Sequence, residues 1–599
     1  MLAHTGEPLN EYVSRRDGWS QQKIAREREF RQLGNWRLAV AAVFAVMVWL
    51  AAGPHLIAAW WLLLPLALFV WLAIRLSRAR QLKIRAARAL RYYENGLGRL
   101  DDRWAGDGND GMRFRSTDHV YADDLDLFGK GSLFELVSTT RTASGDAVLA
   151  GWLRTPSERQ ELAARQEAVR ELAPNLDLRE DIALLGADVR ASIDEEVLER
   201  WGSAPAVLFP PFARVLALIL ALASVATGAL LLAGVLRLWP FAAVLGINFI
   251  LIAAFRKRVD LVLASVEATG PDLRLERYLL QRIEREAFQA AGLQNIQQRL
   301  QIGSLDAARR LARLERWIEL VDSSEHILLQ TFGPVVLWRQ QIAMGVEGWR
   351  RESGRYIAGW LSAVGEFEAI ESLASLAYER PSWSFPVLAE DGPPVFAAEG
   401  LQHPLLPPSR CVANDVTIGD SHSLLIVSGS NMSGKSTLLR AIGLNTVLAW
   451  AGAPVAAKML RLSRLQTAAS IRIVDSLQEG RSRFMAEILR IRQIVDLTMG
   501  PSPVLFLLDE LLSGTNSHDR LIGATAIVKG LVERGAIGLV TTHDLALANM
   551  ESDLRAHAAN FHFDDQIVEG QIEFDYRLKP GVVVRSNAIE LMRAVGLKV

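Results

Sequence analysis

Leu424-Leu425-Ile426-Val427-Ser428-Gly429-Ser430-Asn431-Met432-Ser433-Gly434-Lys435-Ser436-Thr437 decides the fold of this chain. Its first four residues read as a buried strand. They lead directly into G-x-x-x-x-G-K-[ST], and a helix is expected to begin near Lys435. In such a strand–loop–helix turn, glycines let backbone N–H groups converge on phosphate oxygens at a helix N-terminus. The expected cradle is Gly429, Ser430, Asn431, Met432, Ser433, Gly434, Lys435, Ser436 and Thr437. Lys435 is placed to reach the β- and γ-phosphates of a nucleotide, and the Ser436 hydroxyl to ligate Mg²⁺. A chance match in a chain of this length is on the order of a per cent or two.

Working toward the C-terminus, Val504-Leu505-Phe506-Leu507-Leu508 is a second fully apolar strand, ended by Asp509 and Glu510. Central parallel strands read this way because both faces are covered. An acidic pair at the carboxyl end of such a strand lies where open α/β sheets bind ligands. Alone the pair is a weak signal; downstream of a phosphate loop it becomes specific. Asp509 is expected to hold Mg²⁺, and Glu510 to orient or deprotonate the attacking water. A third strand, Ile537 to Thr541, leads to Thr542-His543-Asp544. A lone histidine is usually structural, but His543 leaves a β-run at the same expected sheet edge, which assigns it to the γ-phosphate. Short β-runs alternating with helices predict a mainly parallel α/β domain over 381–599, entered through the proline-rich stretch Pro381 to Pro408.

Toward the N-terminus the pattern is different. Apolar residues make up 50% of the chain and charged residues 22%, so hydrophobicity must be concentrated locally. Leu38 to Ile74 carries no Asp, Glu, Lys or Arg and is divided by Gly53-Pro54-His55. Val215 to Phe255 repeats the arrangement around Arg237-Leu238-Trp239-Pro240. Each half approaches the roughly 20 residues needed to cross a bilayer. Four transmembrane helices in two hairpins are therefore expected, at 37–76 and 207–256. Two buried helical pairs of a large soluble core are the alternative, but such helices keep a polar stripe. A cleaved signal peptide is not expected, because the first apolar stretch starts late and a second follows at once.

Arg15, Arg16, Lys23, Arg26, Arg28, Arg31 and Arg37 precede the first hairpin, while Arg75, Arg78, Arg80, Lys83, Arg85 and Arg88 follow it. Arg256, Lys257 and Arg258 follow the second, and the turns hold only His55 and Arg237. Positive residues stay cytoplasmic. The expected topology is thus a multi-pass protein of the inner (plasma) membrane with a cytoplasmic segment 1–36 and a cytoplasmic C-terminal domain. Residues 77–206 and 257–380 read as two parts of one cytoplasmic α-helical region, with apolar spacing of three and four over Ser157 to Asn175 and Leu261 to Arg351. Ile327 to Trp338 is apolar but too short to span and is expected to be a packed helix. Cys411 is the only cysteine, which excludes an intrachain disulfide and a cysteine-based zinc site. A net charge of −1 excludes a strongly basic nucleic-acid wrap.

These motifs resemble those of the MutS family. GSNMSGKST (429–437) is close to that family's phosphate loop, and DELLSGTNSHD (509–519) to its Asp-Glu segment with Gly514-Thr515 and Asp519. Gly480 to Glu487 (GRSRFMAE) resembles its signature segment, which implies that Ser482 reaches across a dimer to the γ-phosphate of the opposite subunit. Asn560 to Phe563 and Phe574 to Leu578 resemble its late strands. Gly131 to Leu136, Arg141-Thr142, Gly145 and Trp152-Leu153 resemble the start of its helical core domain, and Gly365 to Ala377 with His403-Pro404 the return from it. The resemblance implies ATP and Mg²⁺ as ligands, a P-loop ATPase domain of MutS/ABC type, a MutS-core-like helical domain and a homodimer through the ATPase domain.

The departures are as specific. The wedge Phe-x-Glu of mismatch readers occurs nowhere in the chain, and apolar hairpins take the N-terminal region. The second hairpin falls near the family's DNA-gripping clamp. The position of the family's adenine-stacking aromatic corresponds here to Cys411 or Val412. The leading reading is an ATP hydrolase, with Glu510, His543 and Ser482 catalytic, that couples nucleotide state to movement of helical and membrane segments. Its partners are a second copy and the lipid bilayer, with DNA at most a weak partner lacking mismatch specificity. One alternative is a mismatched-DNA-binding repair protein. The other is an ABC-type half-transporter, against which stand GRSRFMAE in place of LSGGQ and a count of only four spans.

Overall fold

The computed structural model describes residues 7–53, 56, 58–185, 195–207, 209–267, 273–302, 305–323, 331–390, 392–430, 433–472, 483–543, 557–568 and 571–582. The N-terminal part is helical. Helix α1 (Glu7–Ala52) and α2 (Leu63–Leu100) form a long antiparallel pair, tied along its length by Lys83 Nζ to Glu27 at 3.3 Å. The short helices α3 (Leu133–Val137), α4 (Ala143–Arg154), α5 (Arg159–Leu172), α6 (Leu176–Leu184) and α7 (Glu195–Ser203) follow, then a second apolar pair, α8 (Ala213–Leu232) and α9 (Leu238–Glu267). Helices α10 (Arg274–Arg285) and α11 (Ala291–Leu300), the small strands β1 (Gln301–Ile302) and β2 (Leu305–Asp306), and α12 (Ala307–Ser323), α13 (Trp338–Ser353) and α14 (Ile357–Glu379) complete this part.

Of these, α1, α2, α8 and α9 contain stretches long and apolar enough to cross a membrane. Their large apolar side chains face outward: Trp49 is 67% exposed, Ile250 71% and Leu232 91%. A soluble helix hides such a face. Of Ile327 to Trp338, expected as one packed helix, the described part is helical at Thr331 and Phe332 and then broken by a 3-10 turn at Gly333–Val336 and Leu337 at φ 53°, after which α13 begins. Pro334 inside the stretch removes an amide donor and starts the turn.

Helix α14 is the spine. Gly365 lets α4 approach so closely that a Cβ there would lie 2.7 Å from the Ser144 backbone. Glu368, fully buried, accepts the Thr142 hydroxyl at 2.6 Å and its N–H at 3.1 Å. At the far end of α14, Glu379 accepts both Arg99 nitrogens at 2.7 and 2.5 Å and the Tyr12 hydroxyl at 3.2 Å. The charged end of the first pair is thereby bolted to the helix that enters the C-terminal domain.

That domain has two sheets. β3 (Val387–Leu388), β4 (Phe396–Leu401), β5 (Asn414–Ile418) and β7 (Met459–Leu462) form a four-stranded sheet in the order β3-β7-β4-β5. Two of them lie inside the proline-rich stretch that reads as a boundary. The six-stranded sheet runs β12-β11-β6-β10-β9-β8, from β6 (Leu424–Ser428), β8 (Gln466–Ser470), β9 (Val504–Asp509), β10 (Ile537–Thr542), β11 (Ala558–Val568) and β12 (Gln571–Pro580). All its pairings are parallel except β11 with β12. β6 and β10 are buried at every residue, as apolar runs covered on both faces must be. Helices α15 (Lys435–Ala451), α16 (Arg483–Leu497) and α17 (Ser517–Glu533) flank it.

Candidate nucleotide site

The site forms where β6, β9 and β10 end. β6 turns at Gly429 (φ 153°), and α15 starts after Gly434 (φ 104°). A side chain at Gly429 would meet Ser433 Oγ at 2.8 Å, and L-residues rarely adopt either angle. Lys435, at the first turn of α15, donates from Nζ to the carbonyls of Gly429 at 2.9 Å and Ser430 at 2.8 Å. Burial holds its ammonium below the usual lysine range, against the pull of Glu510 and Asp509. Asn431 and Met432 lie outside the described residues. Ser430 Oγ and Ser433 Oγ are buried with no hydrogen-bond partner among the described residues. Buried hydroxyls are nearly always paired, so two orphans aimed into a phosphate-type loop fit an anionic ligand rich in acceptors.

Parallel register sets Asp509 of β9 opposite Thr541 of β10. Asp509 accepts the Ser436 hydroxyl on Oδ2 at 2.5 Å and the Thr541 hydroxyl on Oδ1. The Thr541 oxygen in turn accepts the Glu510 N–H at 3.2 Å. One hydroxyl and one carboxylate, facing each other at a helix N-terminus, suit a hard divalent cation that keeps phosphate and water oxygens as its other ligands. No group of three His, Cys, Asp or Glu side chains is placed to hold a metal ion among the described residues.

Beyond Asp509 the chain is bent. Glu510 (φ 48°) and Leu512 (φ 56°) are both left-handed, a conformation that costs non-glycine residues of order 1–3 kcal/mol and collects at functional sites. Two buried groups impose it: Glu487 accepts the Leu512 N–H at 2.6 Å, and Arg520 donates to the Leu511 carbonyl at 3.1 Å. The bend turns Glu510 toward His543, whose Nδ1 lies 3.2 Å from Oε1. Gly514 sits against Phe484, and Asn516 caps α17 by accepting the Asp519 N–H at 2.9 Å.

The fold thus brings together Lys435, Ser436, Asp509, Glu510 and His543. Ser482 lies outside the described residues, one position before α16. The Cys411 sulfur accepts the His403 N–H at 3.2 Å. The aromatic beside the loop is Tyr576 of β12, which a Cβ on Gly434 would approach to 3.2 Å. Asn414 holds it in place by accepting the Leu578 N–H at 2.7 Å and donating to the Tyr576 carbonyl at 3.0 Å. Tyr576 sits on the antiparallel β11–β12 hairpin, far from the loop in sequence, and only the Phe574 to Leu578 segment signals it. Thr541 and Glu487, which orient the acidic pair, carry no motif of their own.

A family model described as MutS domain V matches residues 425–598. The DNA mismatch repair protein MutS of Aquifex pyrophilus is 34% identical over 239 residues, 39% of this chain and 27% of that protein. MutS 2 of Halobacterium salinarum is 30% identical over 263 residues, 43% of the chain and 29% of the relative. MutS of Halalkalibacterium halodurans is 28% identical over 306 residues, 50% and 35% respectively. The chain matches between 27% and 35% of the length of these relatives.

Proposed function

We propose that this chain, which belongs to the MutS family, is a membrane-anchored ATPase that hydrolyses MgATP at a site completed by a second copy and passes the nucleotide state to its helical core and hairpins. The observation that carries this reading is the meeting of Ser436 and Asp509 beside the seated Lys435 ammonium. Lys435 exchanges the Gly429 and Ser430 carbonyls for β- and γ-phosphate oxygens, and the Ser430 and Ser433 hydroxyls gain acceptors. Ser436 and Asp509 hold Mg²⁺, which when bound offsets charge on the transferring phosphoryl group. Glu510 aligns the attacking water and takes its proton, steadied by His543. Ser482 of the second copy closes the site over the γ-phosphate. Tyr576 offers its ring to the base.

Four apolar helices with outward side chains support the bilayer as a partner. Exposed Trp49, Trp60, Trp61 and Trp239 lie toward the two hairpin turns, where an interfacial aromatic belt belongs. The arginine-rich flanks support a reading with the ATPase domain in the cytoplasm and the anchor in the inner (plasma) membrane. The relatives' names favour a DNA mismatch role, but the family model matches only residues 425–598 and the chain has no Phe-x-Glu.

Nucleotide binding and turnover by the purified chain test the reading. Lys435→Ala abolishes binding. Glu510→Gln keeps binding and slows hydrolysis by a large factor, because positioning the water acts in the transition state. Normal turnover by Glu510→Gln refutes the assignment of the base.

A further inference from the structure

Asn248 sits on α9, on an otherwise apolar stretch, about 15 Å from the outer end at Leu238 and about 12 Å from Arg256 at 1.5 Å per residue. Its amide is buried, and Nδ2 donates to Ser224 Oγ of α8 at 2.9 Å and to the Val335 carbonyl at 3.0 Å. Val335 belongs to neither hairpin; it lies in the 3-10 turn that precedes α13. Further along, Leu337 and Met344 pack with Ala213, Ala217, Leu220 and Leu251 in one small apolar cluster. On the charged side, Arg339 Nη2 reaches Asp260 at 3.2 Å. Asp260 and Asn248 are separated on α9 by about 18 Å of helix rise. Those two contacts fix the slant of the segment: Arg339 is level with the basic flank, and Val335 lies well inside the apolar span.

We infer that residues 331–337 form a re-entrant membrane element whose surface partner is lipid acyl chain. The turn enters the hydrocarbon from the cytoplasmic side and returns as α13 on the same side. This rests on the bilayer reading of the hairpins. Non-helical backbone at that depth is tolerated only where protein satisfies it, and Asn248 supplies the donor that the Val335 carbonyl needs. A polar side chain inside an apolar span is costly, and here its partner explains its presence. The composition agrees: from Ile327 to Trp338 there is no charged residue, and Phe332 is 62% exposed with its ring turned outward. Charged α12, with Arg309, Arg313 and Arg316, precedes the element and packs on α10 and α13, so entry and exit share one side.

The test uses the full chain with Cys411→Ala, reconstituted in phosphatidylcholine vesicles. Single cysteines at Phe332, at Leu222 in the middle of α8 and at Arg316 carry an environment-sensitive fluorophore. Quenching is read with lipids bearing a nitroxide near the bilayer centre and with aqueous iodide. The expected result is that Phe332→Cys behaves as Leu222→Cys, quenched by the lipid nitroxide and severalfold less by iodide than Arg316→Cys. Adding Asn248→Leu, which leaves the Val335 carbonyl without its donor, raises iodide quenching at Phe332→Cys and leaves Leu222→Cys unchanged. If Phe332→Cys follows Arg316→Cys while Leu222→Cys stays lipid-quenched, the re-entrant element is refuted and the hairpin stands. If Leu222→Cys itself follows Arg316→Cys, the bilayer reading falls and takes the element with it.

Discussion

Asp124 accepts the backbone N–H of both Ile471 and Arg472 on one carboxylate oxygen, each at 2.7 Å. Its own carbonyl accepts Arg440 Nε of α15 at 3.0 Å. Next to it, the Val120 carbonyl takes the Ala469 N–H at 2.9 Å, and Arg490 of α16 donates to the carbonyls of His119 and Thr117 at 2.9 and 3.1 Å. The stretch that follows the first hairpin therefore straps the edge of the six-stranded sheet. It touches the phosphate-loop helix on one side and the strand that leads toward Ser482 on the other. Burial pushes the Asp124 carboxyl above its usual range, partly offset by those two N–H donors.

Removing the strap should uncouple the site. Asp124→Ala leaves the part-buried Ile471 and Arg472 amides without that acceptor, each hydrogen bond being worth about 1 kcal/mol. The expected outcome is a lower melting temperature and a fall in kcat for ATP larger than any rise in KM. Asp124→Asn keeps an acceptor oxygen and should recover much of the rate. Equal loss in both variants would show that charge, not the two hydrogen bonds, is what matters.

Ser482 should act across the dimer. A Ser482→Ala protein and a Lys435→Ala protein, each inactive alone, should regain turnover when mixed, since each heterodimer carries one site with both residues intact. A mixture that stays dead beside an active wild type, or a monomer hydrolysing at full rate, removes the composite site.

Glu371 should make stability depend on pH. Burial next to Glu368 pushes its carboxyl up to about 8 from an ordinary 4.5, with Arg179 pulling the other way. The folded chain keeps a proton that the unfolded chain releases, so stability is lost as pH rises from about 4.5 to about 8 and then levels off. Glu371→Gln removes that slope. In thermal melts the variant should match wild type near the acid end and exceed it, by on the order of 1 kcal/mol or more, at the alkaline end. Parallel curves across the range would contradict it.

DNA recognition should be weak and blind to mismatches. Opening a base step costs a few kcal/mol and needs an inserted wedge, yet Phe-x-Glu is missing from the chain. Binding to matched and mismatched duplexes should agree within tenfold, about 1.4 kcal/mol, and should collapse as salt rises. A preference of tenfold or more for the mismatch would promote the repair reading to first place.

By itself the sequence determined what is local. The run from Leu424 to Thr437 specifies a strand, a glycine turn and a helix start because each residue's role there depends on its immediate neighbours. The apolar stretches around Gly53 and Arg237 specify long outward-facing helices by length and composition alone, and the proline-rich stretch hides two short strands because paired edges leave no periodic trace. What only the tertiary structure decided is which distant groups meet. Thr541 orients Asp509 because parallel register places them side by side. Glu487 bends the backbone at Leu512, Tyr576 rather than Cys411 stands by Gly434, and Asn248 holds Val335. None of these has a spacing rule, since the contacts are set by sheet register and helix packing, where positions remote in the chain become neighbours only after the core has closed.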